Sequence, residues 1–118
     1  MPKRNEHQIQ TQLINYLKGN GWYAQRMNSG KIPVGVGKYK RYVQLSPVGT
    51  PDIMAFKDFS DPERNYVRQL ELIFIEVKVP GNKPTVLQNR KMEELESFGA
   101  RCFVTHSQEE LEEQLTTL

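Results

Sequence analysis

The 118-residue chain has little of what builds disulfides, zinc clusters or membrane spans. Its single cysteine, Cys102, cannot form an internal disulfide, which points to a reducing compartment, the cytoplasm. Zinc sites built on paired cysteines are excluded by the same count. Two well-separated histidines, His7 and His106, give no helical zinc pair, and nothing in the sequence supports a dyad of either with Cys102. No apolar run approaches the ~18 residues of a spanning helix. Met1 leads into Pro-Lys-Arg-Asn-Glu with no apolar stretch behind it, so neither a secretory leader nor a transit peptide is expected. Hydrophobic residues make up 37% of the chain, enough for one modest core and, at this length, one domain over 1–118.

What is present is charge, unevenly spread. Residues 1–92 carry 15 basic side chains against 7 acidic ones, net +8, while 93–118 carry one Arg against 7 Glu, net −6. A basic body with an acidic tail helix fits a polyanion partner, and it fits equally two solvated faces of unlike sign.

Periodicity orders the elements. Ile9, Leu13, Tyr16 and Leu17 fall on one helical face, so Asn5–Asn20 reads as a helix stopped by Gly19 and Gly21. Trp22–Met27 reads as a strand, and 29–47, rich in Gly, Lys and Tyr, as a long loop or extended arm. Ile53–Phe56 and Leu70–Val79 read as buried strands, with a turn at Asp58–Asn65 between them. Thr85 is expected to cap a helix over Val86–Phe98, closed by Gly99. Cys102–Thr105 reads as a strand. Ser107 and Glu110 form an expected capping box for a last helix with Leu111, Leu115 and Leu118 on one stripe. The order α, β, β, β, α, β, α implies an α/β fold with a central mixed sheet flanked by helices.

The chemistry-bearing pattern is Gly49-Thr50-Pro51-Asp52, then 23 residues, then Glu76-Val77-Lys78. On a strand, Glu76 and Lys78 project from one face and Val77 from the other. If the strands starting at Asp52 and ending at Glu76 pair as a hairpin, the two carboxylates lie side by side and each raises the other's pKa. A hard divalent cation removes that conflict, since Mg²⁺ is held by one or two carboxylates plus waters. Without metal, removing either carboxylate is expected to leave the fold intact or more stable. Lys78 could orient or deprotonate a water, or stabilise charge on a phosphate. Taken singly, the same residues also suit an ordinary i, i+2 surface pair and a strand-entry turn. At 100° per residue, Glu6 falls within about 20° of Leu13 and Leu17, and Gln88 within about 20° of Leu95, both on buried stripes. Glu6 also suits a first-turn acid, and Gln88 a capping-box partner of Thr85.

Gly-Thr-Pro-Asp52, Glu76-Val77-Lys78, Gly81 and Gln88, with Glu6 on the first helix, resemble the PD-(D/E)XK nuclease superfamily and most closely its virus-type replication-repair nuclease (VRR-NUC) branch. Met27-Asn28-Ser29-Gly30 is similar too. The resemblance runs from Glu6 to about Gly99. It implies a restriction-endonuclease-like αβββαβ core and metal-dependent hydrolysis of DNA phosphodiesters. It further implies Mg²⁺ or Mn²⁺ held by Asp52, Glu76 and the Val77 carbonyl, with Glu6 supporting through a water. Lys78 would position the attacking water, and Gln88 would steady Lys78 or the substrate. Within that class a structure-specific endonuclease acting on nicked, flapped or branched DNA is expected. The rivals are a sequence-specific restriction-like nuclease and a non-catalytic DNA-binding subunit. Symmetric cutting of a junction needs two sites, so a homodimer is expected.

Lys31, Lys38, Lys40 and Arg41, interleaved with Tyr39 and Tyr42, suit phosphate contact plus stacking, or simply a solvated arm. Arg26, Lys83 and Arg90 are further candidates for the DNA backbone. Gly35-Val36-Gly37-Lys38 fails as a phosphate loop: the Walker pattern needs Gly where Ile32 sits and Ser or Thr where Tyr39 sits. No nucleotide cofactor is expected.

Overall fold

In the computed structural model, residues 4–27, 31–44, 47–61, 63 and 69–118 are described. The first helix, α1 (Glu6–Gly19), starts where Asn5 accepts a hydrogen bond from the Gln8 N–H and Gln8 answers to the Asn5 N–H. This reciprocal cap satisfies two donors that a helix start otherwise leaves bare. Ile9, Leu13 and Leu17 are buried along its inner stripe.

Four strands form the main sheet: β1 (Tyr23–Arg26), β4 (Ile53–Asp58), β5 (Leu70–Val77) and β6 (Arg101–Thr105), in spatial order β1-β4-β5-β6. The first three run antiparallel, while β5 and β6 are parallel, so the sheet is mixed. The parallel return needs a crossover, supplied by α2 (Val86–Ser97), which Thr85 and Gln88 cap reciprocally as expected. The last helix, α3 (Gln108–Leu115), buries Leu111 completely, and Leu115 and Leu118 close over the same core.

The two faces of β5 differ. Ile73, Ile75 and Val77 join Ile9, Leu13, Leu17 and Leu111 in one core beneath α1 and α3. Phe74 and Glu76 point to the opposite face, the side where Cys102 meets the Met92 carbonyl of α2. Glu76 is thus a carboxylate near the end of a strand whose last five residues are buried on both sides.

Three expectations change. The 29–47 segment holds a second sheet: β2 (Lys31–Val34) and β3 (Arg41–Gln44) pair antiparallel around a 3-10 turn at Gly37–Tyr39. The cap of α3 is only half a capping box. Ser107 accepts from the Glu110 N–H, but Glu110 reaches the N–H and ring of His106 instead of returning to Ser107. A facing imidazole offers the carboxylate a second donor that the Ser107 amide lacks. The long strand ends at Val77, two residues early, because Pro80 and Gly81 already turn the chain. Of the expected turn, residues 62, 64 and 65 lie outside the described residues, as do Asn28, Ser29 and Gly30 of the motif stretch.

Candidate metal and catalytic site

Strand register brings the motif halves together. Ile53 pairs with Ile75, so the next position outward sets Asp52 against Glu76. Asp52 is locked there by two bonds: its Oδ2 accepts from the Val77 N–H at 2.7 Å, and its carbonyl accepts from the Met27 N–H at 2.7 Å. Gly49 makes the approach possible. Its φ is +87°, and a Cβ there would lie 2.7 Å from the Leu87 carbonyl oxygen, so this turn sits tight against the start of α2. The Gly-Thr-Pro-Asp turn is therefore wedged between β5 and α2.

The site is short of counter-charge. Glu76 is only 2% exposed, and its Oε2 has no hydrogen-bond partner. Lys78 Nζ lies 3.7 Å from Glu76 Oε1, on the shared face that strand alternation requires. Burial first, then the Asp52 carboxylate, pushes Glu76 up to about 8, against the pull of Lys78; Glu6 adds repulsion from α1. Asp52 is raised too, chiefly by burial, although the Val77 N–H, Lys78 and Arg26 oppose the shift.

An orphaned buried carboxylate oxygen beside a second carboxylate fits a hard divalent cation. Among the described residues, no three His, Cys, Asp or Glu side chains group closely enough to hold an ion unaided. Two carboxylates suit an ion that keeps much of its water. Glu6, half-buried at the first position of α1, makes itself felt at Glu76 through its charge.

Raised carboxylate pKa values have a consequence for stability without metal. The folded chain holds the Glu76 proton at pH values where the unfolded chain has lost it. Stability is therefore complete below the ordinary glutamate range and falls as pH climbs to about 8. In a chelator, the melting temperature at pH 8 is expected to lie at least about 4 °C below that at about pH 5. Glu76→Gln should remove most of this slope. His106, raised by its bond to Glu110, contributes with the same sign and persists in the variant. A slope identical in wild type and Glu76→Gln would show that Glu76 is not the titrating group.

Other candidates are placed differently from one another. Arg26 is held by α1, its Nε and Nη2 donating to Gln10 (2.8 Å) and Thr11 (2.9 Å), while its charge still reaches Asp52. Sequence reading missed Gln10 and Thr11, polar residues on an α1 face with no motif to mark them. Gln88 serves as a cap: its Oε1 accepts from the Thr85 N–H at 2.9 Å, and no hydrogen bond joins it to Lys78. The capping alternative is thus the one realised for its carbonyl. Arg90 is exposed on α2, Lys83 on the loop before it, and Lys38, Lys40 and Arg41 on the β2–β3 ribbon. The side chain of Lys31 lies outside what is described.

Burial, and after it the Glu96 charge, push the Cys102 thiol up to about 11, which disfavours the thiolate that nucleophilic chemistry needs. Cavities of about 430 and 350 Å³ open on either side of His106, and Asp52, Glu76 and Lys78 line neither. Comparison of the chain with protein-family models, curated proteins and solved structures yields no match. Among the described residues, no helix is long and apolar enough to cross a membrane.

Proposed function

We propose that the chain is a metal-dependent DNA endonuclease of the VRR-NUC type, with a restriction-endonuclease-like core. The observation that carries this reading is the orphaned Oε2 of buried Glu76, set against Asp52 with Lys78 on the same face. An element order of α-β-β-β-α-β once the ribbon is set aside supports it. Asp52 and Glu76 hold the metal, with the Val77 carbonyl and, through water, Glu6 completing the set on the resemblance. A bound Mg²⁺ or Mn²⁺ would supply Lewis acidity toward the phosphate and a more acidic water. Lys78 orients that water and offsets charge developing on the phosphate. Arg26, anchored on α1, keeps positive potential beside Asp52 for the incoming backbone. The working compartment is the cytoplasm.

The test is incubation with supercoiled plasmid and Mg²⁺ or Mn²⁺. Nicking is the expected result and marks structure specificity. Discrete fragments would favour a restriction-like enzyme, and intact plasmid together with DNA binding would favour a non-catalytic subunit. Paired cuts across a branch require two sites, so the active form is a homodimer. Sedimentation at micromolar concentration is expected to give about 27 kDa, twice the 13.7 kDa chain. A monomer that cuts both arms of a junction would remove the dimer.

A further inference from the structure

Among the described residues the β2–β3 ribbon pairs only with itself, and the proposed metal site draws no residue from it. Yet it is rooted at that site. The chain leaves the sheet at Met27, whose N–H is bonded to the Asp52 carbonyl, and re-enters at Asp52 itself. Lys31 is four residues from Met27, so the ribbon's base lies within about 14 Å of that bond. Tyr42 sits across the strand pair from Pro33, six residues from Met27, and so lies within about 27 Å, less than the ~34 Å of one duplex turn.

The outer half is shaped and charged. Gly35 has φ +92°, and a Cβ there would sit 2.6 Å from the Tyr39 carbonyl oxygen, so the tip folds tightly back. That fold presents Tyr39 and Tyr42 at 76% and 65% exposure. Each ring has a lysine ammonium over it: Lys38 is 5.3 Å from the Tyr39 centroid and Lys40 is 5.9 Å from that of Tyr42. Between Glu6 and Asp52 the sequence holds no Asp or Glu. Exposed rings in a purely cationic setting match a ligand with flat faces and a negative backbone. In a duplex those faces are occupied by neighbouring base pairs; in an unpaired strand they are free.

We propose that the ribbon is a stacking arm for unpaired nucleotides. Tyr39 and Tyr42 receive bases, while Lys38 and Lys40 meet the adjoining phosphates. Resting on the nuclease reading for its purpose, the arm would select substrates with an unpaired strand within a duplex turn of the scissile phosphate.

The experiment is fluorescence-anisotropy binding of labelled oligodeoxythymidine and of a blunt duplex, in chelator, with the full-length chain. Tyr39→Leu and Tyr42→Leu should each weaken oligodeoxythymidine binding at least about fivefold. Tyr39→Phe and Tyr42→Phe should bind as wild type, because the ring is kept, and all four should leave duplex binding unchanged. Removing Lys38 or Lys40 should lower the salt slope on the single strand by about 0.7 each. The arm is overturned if wild type does not bind the single strand or if the Leu variants bind it normally. Equal losses on both DNAs would overturn it too, since they would put the ribbon in a groove. Cleavage is read separately. Ring-dependent binding without plasmid cleavage would sink the nuclease and leave the arm, and the reverse outcome would do the opposite.

Discussion

Replacing Asp52 with Asn or Glu76 with Gln is expected to reduce Mg²⁺-dependent plasmid cleavage by about 1,000-fold or more. On the proposed nuclease reading the two positions would share one duty, holding a dication against a phosphate, so neither could cover for the other. Each amide keeps the shape of its acid and removes the charge. Their effects on the metal-free fold should differ. Glu76→Gln relieves a buried carboxylate whose Oε2 has no partner, and it should raise the melting temperature at pH 8. Asp52→Ala strips the acceptor from the Val77 N–H and leaves a buried donor bare, a loss of about 1–3 kcal/mol. The expectation that removal is harmless is therefore kept as a prediction for Glu76 and revised for Asp52, whose Oδ2 also satisfies the Val77 N–H. Calorimetry of Mn²⁺ binding checks the metal, and gel-based cleavage rates check the chemistry. Cleavage at near wild-type rate by either amide variant would mean the site is elsewhere.

Lys78→Ala is expected to lower the turnover rate by about 100-fold while DNA affinity changes little. Its ammonium is largely buried and lies 3.7 Å from Glu76, so it is poorly placed to reach a distant phosphate but well placed to act beside the carboxylates. Lys78→Met, which keeps the aliphatic stem, should lose as much rate and retain more stability, separating charge from packing. Single-turnover cleavage at saturating DNA reads the rate, and binding in Ca²⁺ reads affinity. A variant that loses affinity and keeps its rate would make Lys78 a docking residue.

The part of the site legible in the sequence was the part governed by strand alternation. Glu76 and Lys78 share a face because the alternation of 70–77 carries on one residue past Val77, where the Lys78 N–H still bonds the Thr105 carbonyl. That Asp52 meets Glu76 followed only if two strands paired as a hairpin, and a one-residue slip would have sent Asp52 to the other face. The realised register, Ile53 with Ile75, is set by Ile53 and Ala55 packing into the same core as Ile73 and Ile75. Capping residues were legible at Thr85, where the pattern Thr-x-x-Gln precedes a periodic run. Asn5 and Gln8 carried the same kind of signal and passed unread.

By itself, then, the sequence determined the number and order of the main-sheet elements, the charged residues along β5 and the basic, tyrosine-bearing character of 31–44. Local spacing and composition suffice for these, because each depends on neighbours a few residues away. Tertiary structure alone decided how strongly the carboxylates are buried, which oxygen is left without a partner, that Arg26 leans on α1 and that Gln88 spends its carbonyl on a cap. It also decided that the basic segment folds back on itself as a ribbon. These depend on distances between residues far apart in the chain, such as Asp52 and Val77, and no period in the sequence encodes them.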